Sequence, residues 1–299
     1  MDCSSGEILR GFRGEILRDE PLSGHTSLKV GGPAAIFAIP EDQDDLRNLL
    51  RNIAAANTPF LLLGGGYNLL VKDGGFPGVV ISLRKFRDLK CLPGGLVVAG
   101  AGVINGILVR SAEEQRLTGL EFLIGIPGTV GGAICMNAGA HGEEIIDRLE
   151  TLTTMRDGES RNTPKAGLVY GYRTLRLAPG EIIVSATFRL GEGSPADIEE
   201  RVERFLAHRR NAQRVSYPSA GSYFRNPPGE QAWRLIDRAG LRGHRIGGAE
   251  VAAAHANFLV NRGGATARDF IELAELIKER VKAVSGVELQ EEVRIVGKD

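Results

Sequence analysis

Glycine constrains this chain more than any other residue. There are 40 glycines among 299 residues, nearly twice the average usage of about 7%, and they are bunched rather than spread. They follow neither a Gly-X-Y period nor a Ser- and Gln-rich tract, so collagen and low-complexity linkers are excluded. Three bunches stand between apolar runs: Gly64-Gly65-Gly66-Tyr67-Asn68, Gly100-Ala101-Gly102 with Gly106, and Gly125-Ile126-Pro127-Gly128-Thr129-Val130-Gly131-Gly132. Backbone at such places must turn sharply or approach something closely, and bare backbone can turn its N–H groups toward an anion. An ordinary turn is the competing reading for any one bunch alone. The second bunch lies between a strand pattern and a helix pattern, as a dinucleotide fingerprint does. Its spacing is G-x-G-x-x-x-G, however, and no acid closes a second strand about 20 residues later, so it reads as a turn. No G-x-x-x-x-G-K-[ST] occurs, which removes P-loop chemistry.

Charge narrows the partners. Lys plus Arg and Asp plus Glu are both 37. A neutral chain lacks the cationic excess that nucleic-acid binding draws on, while local positive charge for an anionic small molecule remains possible. The cysteines Cys3, Cys91 and Cys135 share no framework spacing, which points to a reducing compartment. The first 20 residues mix acids and bases without an apolar run, and no stretch approaches the roughly 18 apolar residues of a membrane span. The expectation is a cytoplasmic enzyme with no membrane contact. The five histidines show no metal-ligand spacing, so no metal is expected.

The hydrophobic patterns mix strands and helices without a strict βαβ rhythm, predicting an α+β fold. A helix is expected after Pro40, with Leu46, Leu49, Leu50 and Ile53 as its apolar face. Strands are expected at Thr58–Leu63, Val79–Leu83, Leu96–Gly100, Glu150–Met155 and Glu181–Leu190, with a helix at Ile104–Arg116. At Glu192-Gly193-Ser194-Pro195 the character changes, and Ser194, Pro195 and Asp197 announce a helix to about Asn211. The expected organisation is an arm over 1–20, one domain over 21–191 and a second over 194–299. The second contains a helix at Gln231–Ala239 and a strand at Ala256–Val260. Thr266 and Asp269 form a capping-box pattern ahead of Phe270, Leu273, Ile277, Val281 and Val284. Val287–Val296 is expected to close the chain as a strand.

Longer phrases carry a resemblance. FLLLGGGYNLL (Phe60–Leu70) resembles the strand and loop that wrap the pyrophosphate in FAD enzymes of the vanillyl-alcohol-oxidase-like (PCMH-type) class. GLEFLIGIPGTVGGAICMNAGAHG (Gly119–Gly142) resembles the second flavin-contacting segment of the UDP-N-acetylenolpyruvoylglucosamine reductases. TSLKVGGPA (Thr26–Ala34), VYGYR (Val169–Arg173), SAGSYFRNP (Ser219–Pro227) and GVELQEEVRIVG (Gly286–Gly297) are similar to further segments of that family, in order, over about Leu22 to Gly297. The resemblance implies a PCMH-type FAD domain and a smaller α+β substrate domain. It also implies non-covalent FAD, NADPH as co-substrate and a sugar-nucleotide substrate. The flavin contacts it implies are Gly64, Gly65, Gly66, Tyr67, Asn68, Leu69, Gly125, Ile126, Pro127, Gly128, Val130, Gly131, Gly132, Ala133, Asn137 and Gly139. His25 and Tyr67 depart from the family, which usually carries Asn and Ser there.

Reducing a vinyl ether conjugated to a carboxylate needs a hydride at the β-carbon, stabilisation of the resulting enolate and a proton at the α-carbon. Flavin supplies the hydride, since no side chain can. The resemblance nominates Arg173 as cation, Glu292 as its acidic partner and Ser222 as proton donor. Arg210, Arg225 and Asn226 are nominated for the substrate, with Arg209 and Arg214 beside them. Taken singly, each is an ordinary turn residue, ion pair or solvated face. Two rival readings are another FAD oxidoreductase of the superfamily and a non-catalytic flavin or nucleotide-sugar binder. Against the first, Ser222, Asn226 and Glu292 fall in segments belonging to the substrate cap; the second need not keep Arg173, Ser222 and Glu292 together.

Overall fold

The computed structural model describes residues 3–212 and 215–299 as an α+β protein of two compact units. Arg214 lies outside the described residues. The first unit comprises residues 1–17, 36–64 and 78–208, and the second 18–35, 65–77 and 209–299. These units cut the chain differently from the linear blocks 21–191 and 194–299. The second unit gathers two early segments because they complete its core: Leu28, Val30 and Leu70 are buried with Phe270, Leu273 and Ile277. Leu69–Val71 also pairs in parallel with Arg294–Val296, at the far end of the sequence.

In the first unit, helices α1 (Cys3–Ile8), α2 (Gln43–Ala55), α3 (Asn105–Glu114), α4 (Val130–Cys135) and most of α5 (Pro195–Ala212) accompany a five-stranded antiparallel sheet. Its order is Glu159–Pro164, Leu149–Arg156, Ile182–Arg189, Leu96–Gly100, Leu89–Leu92. Ahead of it Phe60–Leu63 runs parallel to Phe76–Ser82, with Phe60 opposite Val79. The N-terminal segment is less peripheral than expected, since Ile8 is buried in the core. Helix α2 starts where its caps dictate: Asp42 accepts from the Asp45 amide, and Leu46, Leu49, Leu50 and Ile53 are buried. Buried Asp45 is matched in turn by the amides of Arg13 (2.8 Å) and Glu41 (3.0 Å).

The second unit holds α6 (Ala232–Arg238), α7 (Ala267–Ser285) and a four-stranded antiparallel sheet. The strand order is Ser219–Ser222, Phe258–Asn261, Ala249–Val251, Arg245–Ile246. The capping box of α7 is formed: Thr266 Oγ1 accepts from the Asp269 amide, and the Asp269 carboxylate accepts from the Thr266 amide. Two expectations fail nearby. Val284 is 61% exposed, because the buried stripe ends at Val281, one turn before the helix stops. Of Val287–Val296 only Arg294–Val296 is a strand. The preceding residues spend their backbone groups singly on Tyr223 and Arg225 rather than on a ladder.

A contrast along α7 tests this packing. Ile277→Ala, at a fully buried position, should cost about 2–5 kcal/mol, whereas Val284→Ala should stay within about 0.5 kcal/mol. Urea unfolding followed by the fluorescence of Trp233, the sole tryptophan, measures both.

Candidate active site

The first glycine loop is built on a backbone clasp. The amide and hydroxyl of Ser27 both donate to the Gly66 carbonyl, at 3.0 and 3.2 Å. Gly66 sits at φ +68°, and a Cβ there would overlap the His25 carbonyl, so no other residue fits. Among the described residues the amides of Gly65, Gly66 and Tyr67 have no protein acceptor, the disposition of an anion nest. Tyr67 is 43% exposed and does not fill the loop. His25 Nε2 lies 2.8 Å from Glu20 Oε1, which engages the imidazole. Leu69 is buried, and Asn68 Nδ2 donates to the Glu292 carbonyl at 3.0 Å.

The second loop rests on the bunch that reads as a turn in the sequence. Val130 and Gly131 donate to the carbonyls of Val103 and Ala101 (2.8 and 2.9 Å), and Asn105 donates through its amide to Gly128 and through Nδ2 to Ile126, both at 3.1 Å. That turn is therefore a scaffold for residues 125–131. Pro127 and Gly132 are exposed and Gly125, Ile126 and Gly128 partly so, while Val130, Gly131 and Ala133 are buried. Only backbone and a few side-chain edges are available to a cofactor here. Asn105 Oδ1 is buried without a protein donor. An unpaired buried acceptor beside glycine backbone fits a polar ligand carrying an N–H or O–H group, so these residues suit a flavin nucleotide.

Arg173 occupies a two-residue hairpin turn between strands Val169–Gly171 and Thr174–Arg176. Its φ is +55°, a conformation few side-chain-bearing residues adopt. The guanidinium donates to the carbonyls of Gly139 (2.7 Å) and Asn137 (3.4 Å) and lies 5.0 Å from the centre of the Tyr172 ring. Asn137, expected among the flavin contacts, is fully buried and its side chain serves the protein. Nδ2 donates to Glu144 (2.6 Å) and the Gly171 carbonyl (3.0 Å), while Oδ1 accepts from Ile146 (3.4 Å).

Ser222 ends the strand Ser219–Ser222, which bulges against Phe258–Asn261: Ser219 faces Val260, yet Ser222 faces Phe258. Three steps on one strand oppose two on the other, and Gly221, at φ +76°, absorbs the extra residue. Such a bulge bends the strand and re-aims the side chain that follows. Beyond it, Asn257 grips the next two residues: its carbonyl accepts from Tyr223 (2.7 Å), Oδ1 from the Phe224 amide (2.9 Å), and Nδ2 donates to the Phe224 carbonyl (2.8 Å). From the other side the Glu292 amide donates to the Tyr223 carbonyl at 2.8 Å, and the Arg225 amide to Gln290 at 2.9 Å. Ser222, Glu292 and Asn68 thus share one backbone framework in the second unit. Sequence reading missed Asn257, which HANFLVN held without a distinguishing spacing.

The remaining nominees are placed less suggestively. Asn226 Oδ1 accepts from the Ala232 amide (3.0 Å) and so helps start α6. Arg225 has a buried Nε without a protein partner. Arg210 is exposed on α5, whereas burial lowers the pKa of neighbouring Arg209. Burial, with help from Glu291 and Glu275, drives the Tyr223 phenol well above its usual range, so it stays neutral. His255 packs edge-on against Phe258, 4.7 Å between ring centres. Among the described residues no group of three or more His, Cys, Asp or Glu could hold a metal, and no helix is long and apolar enough to cross a membrane.

Comparison with known proteins places this geometry. Residues 34–161 match the family described as an FAD binding domain. Residues 178–296 match the UDP-N-acetylenolpyruvoylglucosamine reductase, C-terminal domain. The chain is 60% identical over 288 residues to the UDP-N-acetylenolpyruvoylglucosamine reductase of Geobacter metallireducens, covering 96% of each. It is 55% identical over 298 residues to that of Geotalea uraniireducens, covering 100% of this chain and 99% of the relative. Among solved structures, UDP-N-acetylenolpyruvylglucosamine reductase from Thermus caldophilus superposes with a TM-score of 0.81 at 36% identity, over 95% of this chain and 98% of that one. With near-complete coverage at such identity, and the glycine loops and serine bulge in place, the chain belongs to the UDP-N-acetylenolpyruvoylglucosamine reductase family.

Proposed function

We propose that this protein reduces the enolpyruvyl ether of UDP-N-acetylglucosamine to UDP-N-acetylmuramate, using FAD with NADPH as reductant, in peptidoglycan precursor synthesis. The observation that carries the reading is the Ser222 bulge joined through Tyr223 to Glu292. Neither another FAD oxidoreductase of the superfamily nor a non-catalytic flavin or nucleotide-sugar binder needs a bulged strand end that carries a hydroxyl on the same framework as a carboxyl group. FAD, held mainly by the backbone of Gly64–Leu69 and Gly125–Ala133 with Gly139, supplies the hydride when bound.

The chain's own residues do the rest. Hydride addition at the β-carbon pushes negative charge onto the α-carbon and the substrate carboxylate. Arg173, with its guanidinium fixed by two carbonyls, stabilises that charge, and the Glu292 carboxyl assists it as a hydrogen-bond donor in its protonated form. Ser222 delivers the proton to the α-carbon. A serine hydroxyl is a weak acid, so the basicity of the enolate drives the transfer. Arg225, whose Nε is unpaired, Arg210 and the Asn226 amide nitrogen serve the nucleotide end. A cytoplasmic setting fits Cys91, a thiol outside any disulfide.

Two measurements test this. The purified protein should be yellow, bleached by NADPH and recoloured by the enolpyruvyl sugar nucleotide. Acid precipitation should release the colour into the supernatant, whereas colour held in the pellet would reveal a covalent flavin. Ser222→Ala should keep FAD binding and the NADPH half-reaction while slowing flavin reoxidation by substrate about 10²–10⁴-fold. Rapid mixing separates the halves; equal slowing of both would make Ser222 a pocket-shaping residue, and slowing of neither would remove it from the chemistry. Cysteine there should restore part of the lost rate, its thiol being more acidic.

A further inference from the structure

We infer that Asn137 is a positioning residue for Arg173 rather than a ligand of the cofactor, and that Glu144 is its partner in that role. The inference rests on the reading of Arg173 as the charge-stabilising cation. Asn137 stands just beyond α4, at φ +41°, a left-handed conformation that asparagine tolerates better than most residues. Its side chain is fully buried and makes three hydrogen bonds to two segments: to Glu144 and Ile146 on one, and to the hairpin residue Gly171 on the other. Each of these bonds is to protein, so the amide is occupied in holding segments together.

The segments it joins are those that hold Arg173. Gly171 directly precedes the Tyr172–Arg173 turn. Glu144 pairs with Gly139, whose carbonyl accepts from the Arg173 guanidinium at 2.7 Å. The carbonyl of Asn137 accepts from the same guanidinium at 3.4 Å. One buried amide therefore fixes the backbone at the base of the turn, while the adjoining carbonyls fix the head of the side chain. The hairpin needs such a tie. It is an isolated two-stranded ribbon, marginal by itself in water, and Val169, Tyr170 and Tyr172 are exposed. Leu175 is its buried anchor, on the strand after the turn. Without the Asn137–Gly171 bond the turn would pivot about that anchor, and misplacement of a charge-stabilising group by about 1 Å costs on the order of a hundredfold in rate.

The test is a double-mutant cycle on the flavin-loaded enzyme, read by rapid mixing of each half-reaction and by FAD affinity. Arg173→Ala should slow reoxidation by substrate by about a hundredfold or more. Asn137→Ala should slow the same step by roughly ten- to a hundredfold, leaving FAD affinity unchanged. Added to Arg173→Ala it should cost less than about threefold more, because its effect runs through that arginine. Glu144→Ala, at a half-buried site outside the core, should show the same pattern at about three- to tenfold and serves if Asn137→Ala does not fold. Full multiplication of the losses, or weakened FAD binding with either variant, overturns the inference. If Arg173→Ala leaves reoxidation unchanged, the reading of Arg173 falls, and the positioning role falls with it.

Discussion

The carbonyl of Tyr223 is the point on which the second unit turns. It accepts the Glu292 amide at 2.8 Å and the Val293 amide at 3.4 Å, on a residue whose own side chain is 1% exposed. Buried backbone must find partners, and among the described residues the segment after Ser222 has no neighbouring strand on that edge. The C-terminal residues supply the missing partners one at a time, and Asn257 supplies those on the opposite edge. What results is a rigid seat for two side chains more than sixty positions apart in sequence. Glu292 is also joined to the first glycine loop, because Asn68 donates to its carbonyl and accepts from the Arg294 amide at 3.1 Å. The first glycine loop, the serine segment and the glutamate segment are thereby tied largely through main-chain groups.

The first unit reaches the same end with buried charge. Glu121 is 2% exposed, a costly position for a carboxylate unless it is matched. It is matched by the Thr118 hydroxyl, by the Gly119 amide at 2.9 Å and by Arg201 at 3.6 Å. Arg201 also reaches Glu143 at 2.8 Å, which in turn takes Arg148 at 3.1 Å. The loop carrying Gly139 is thus pinned at Glu143 by ion pairs and at Glu144 by Asn137. His141, at its tip, stacks on Phe205 with 4.3 Å between ring centres. Burial, with His208 and Arg204, lowers its pKa against the opposing pull of Glu143.

Local features were legible in the sequence to the extent that their causes are local. The Asp42 cap, the apolar face of α2 and the capping box of α7 depend on residues within a turn or two, and they formed as the pattern predicts. Val284 misled because periodicity tells which face is buried but not how far the core extends along it. The C-terminal strand misled for a related reason: Val287, Leu289 and Val293 are apolar at even spacing, yet the hydrogen bonds of this stretch go singly to a non-strand segment. The division into units was out of reach, since the pairing of Leu69–Val71 with Arg294–Val296 has no local signal. Motif resemblance nominates segments but cannot tell where side chains point. Asn137 sits in the most distinctive phrase of the chain and still turns its amide into the protein.

The serine bulge shows what the SAGS wording does for the backbone. A regular strand would give the Ser222 side chain only two directions, into the sheet's one face or the other. One inserted residue offers a third, at the cost of a left-handed backbone that Gly221 alone among SAGS can take without strain. The space around Gly221 is open, with nothing within 4 Å of a Cβ placed there, so sterics with neighbours do not demand glycine. Conformation does. The same logic explains why the anchors lie immediately after the bulge: a bent strand end regains precision only if the residues beyond it are fixed, and Asn257 and Glu292 fix Tyr223 from both edges.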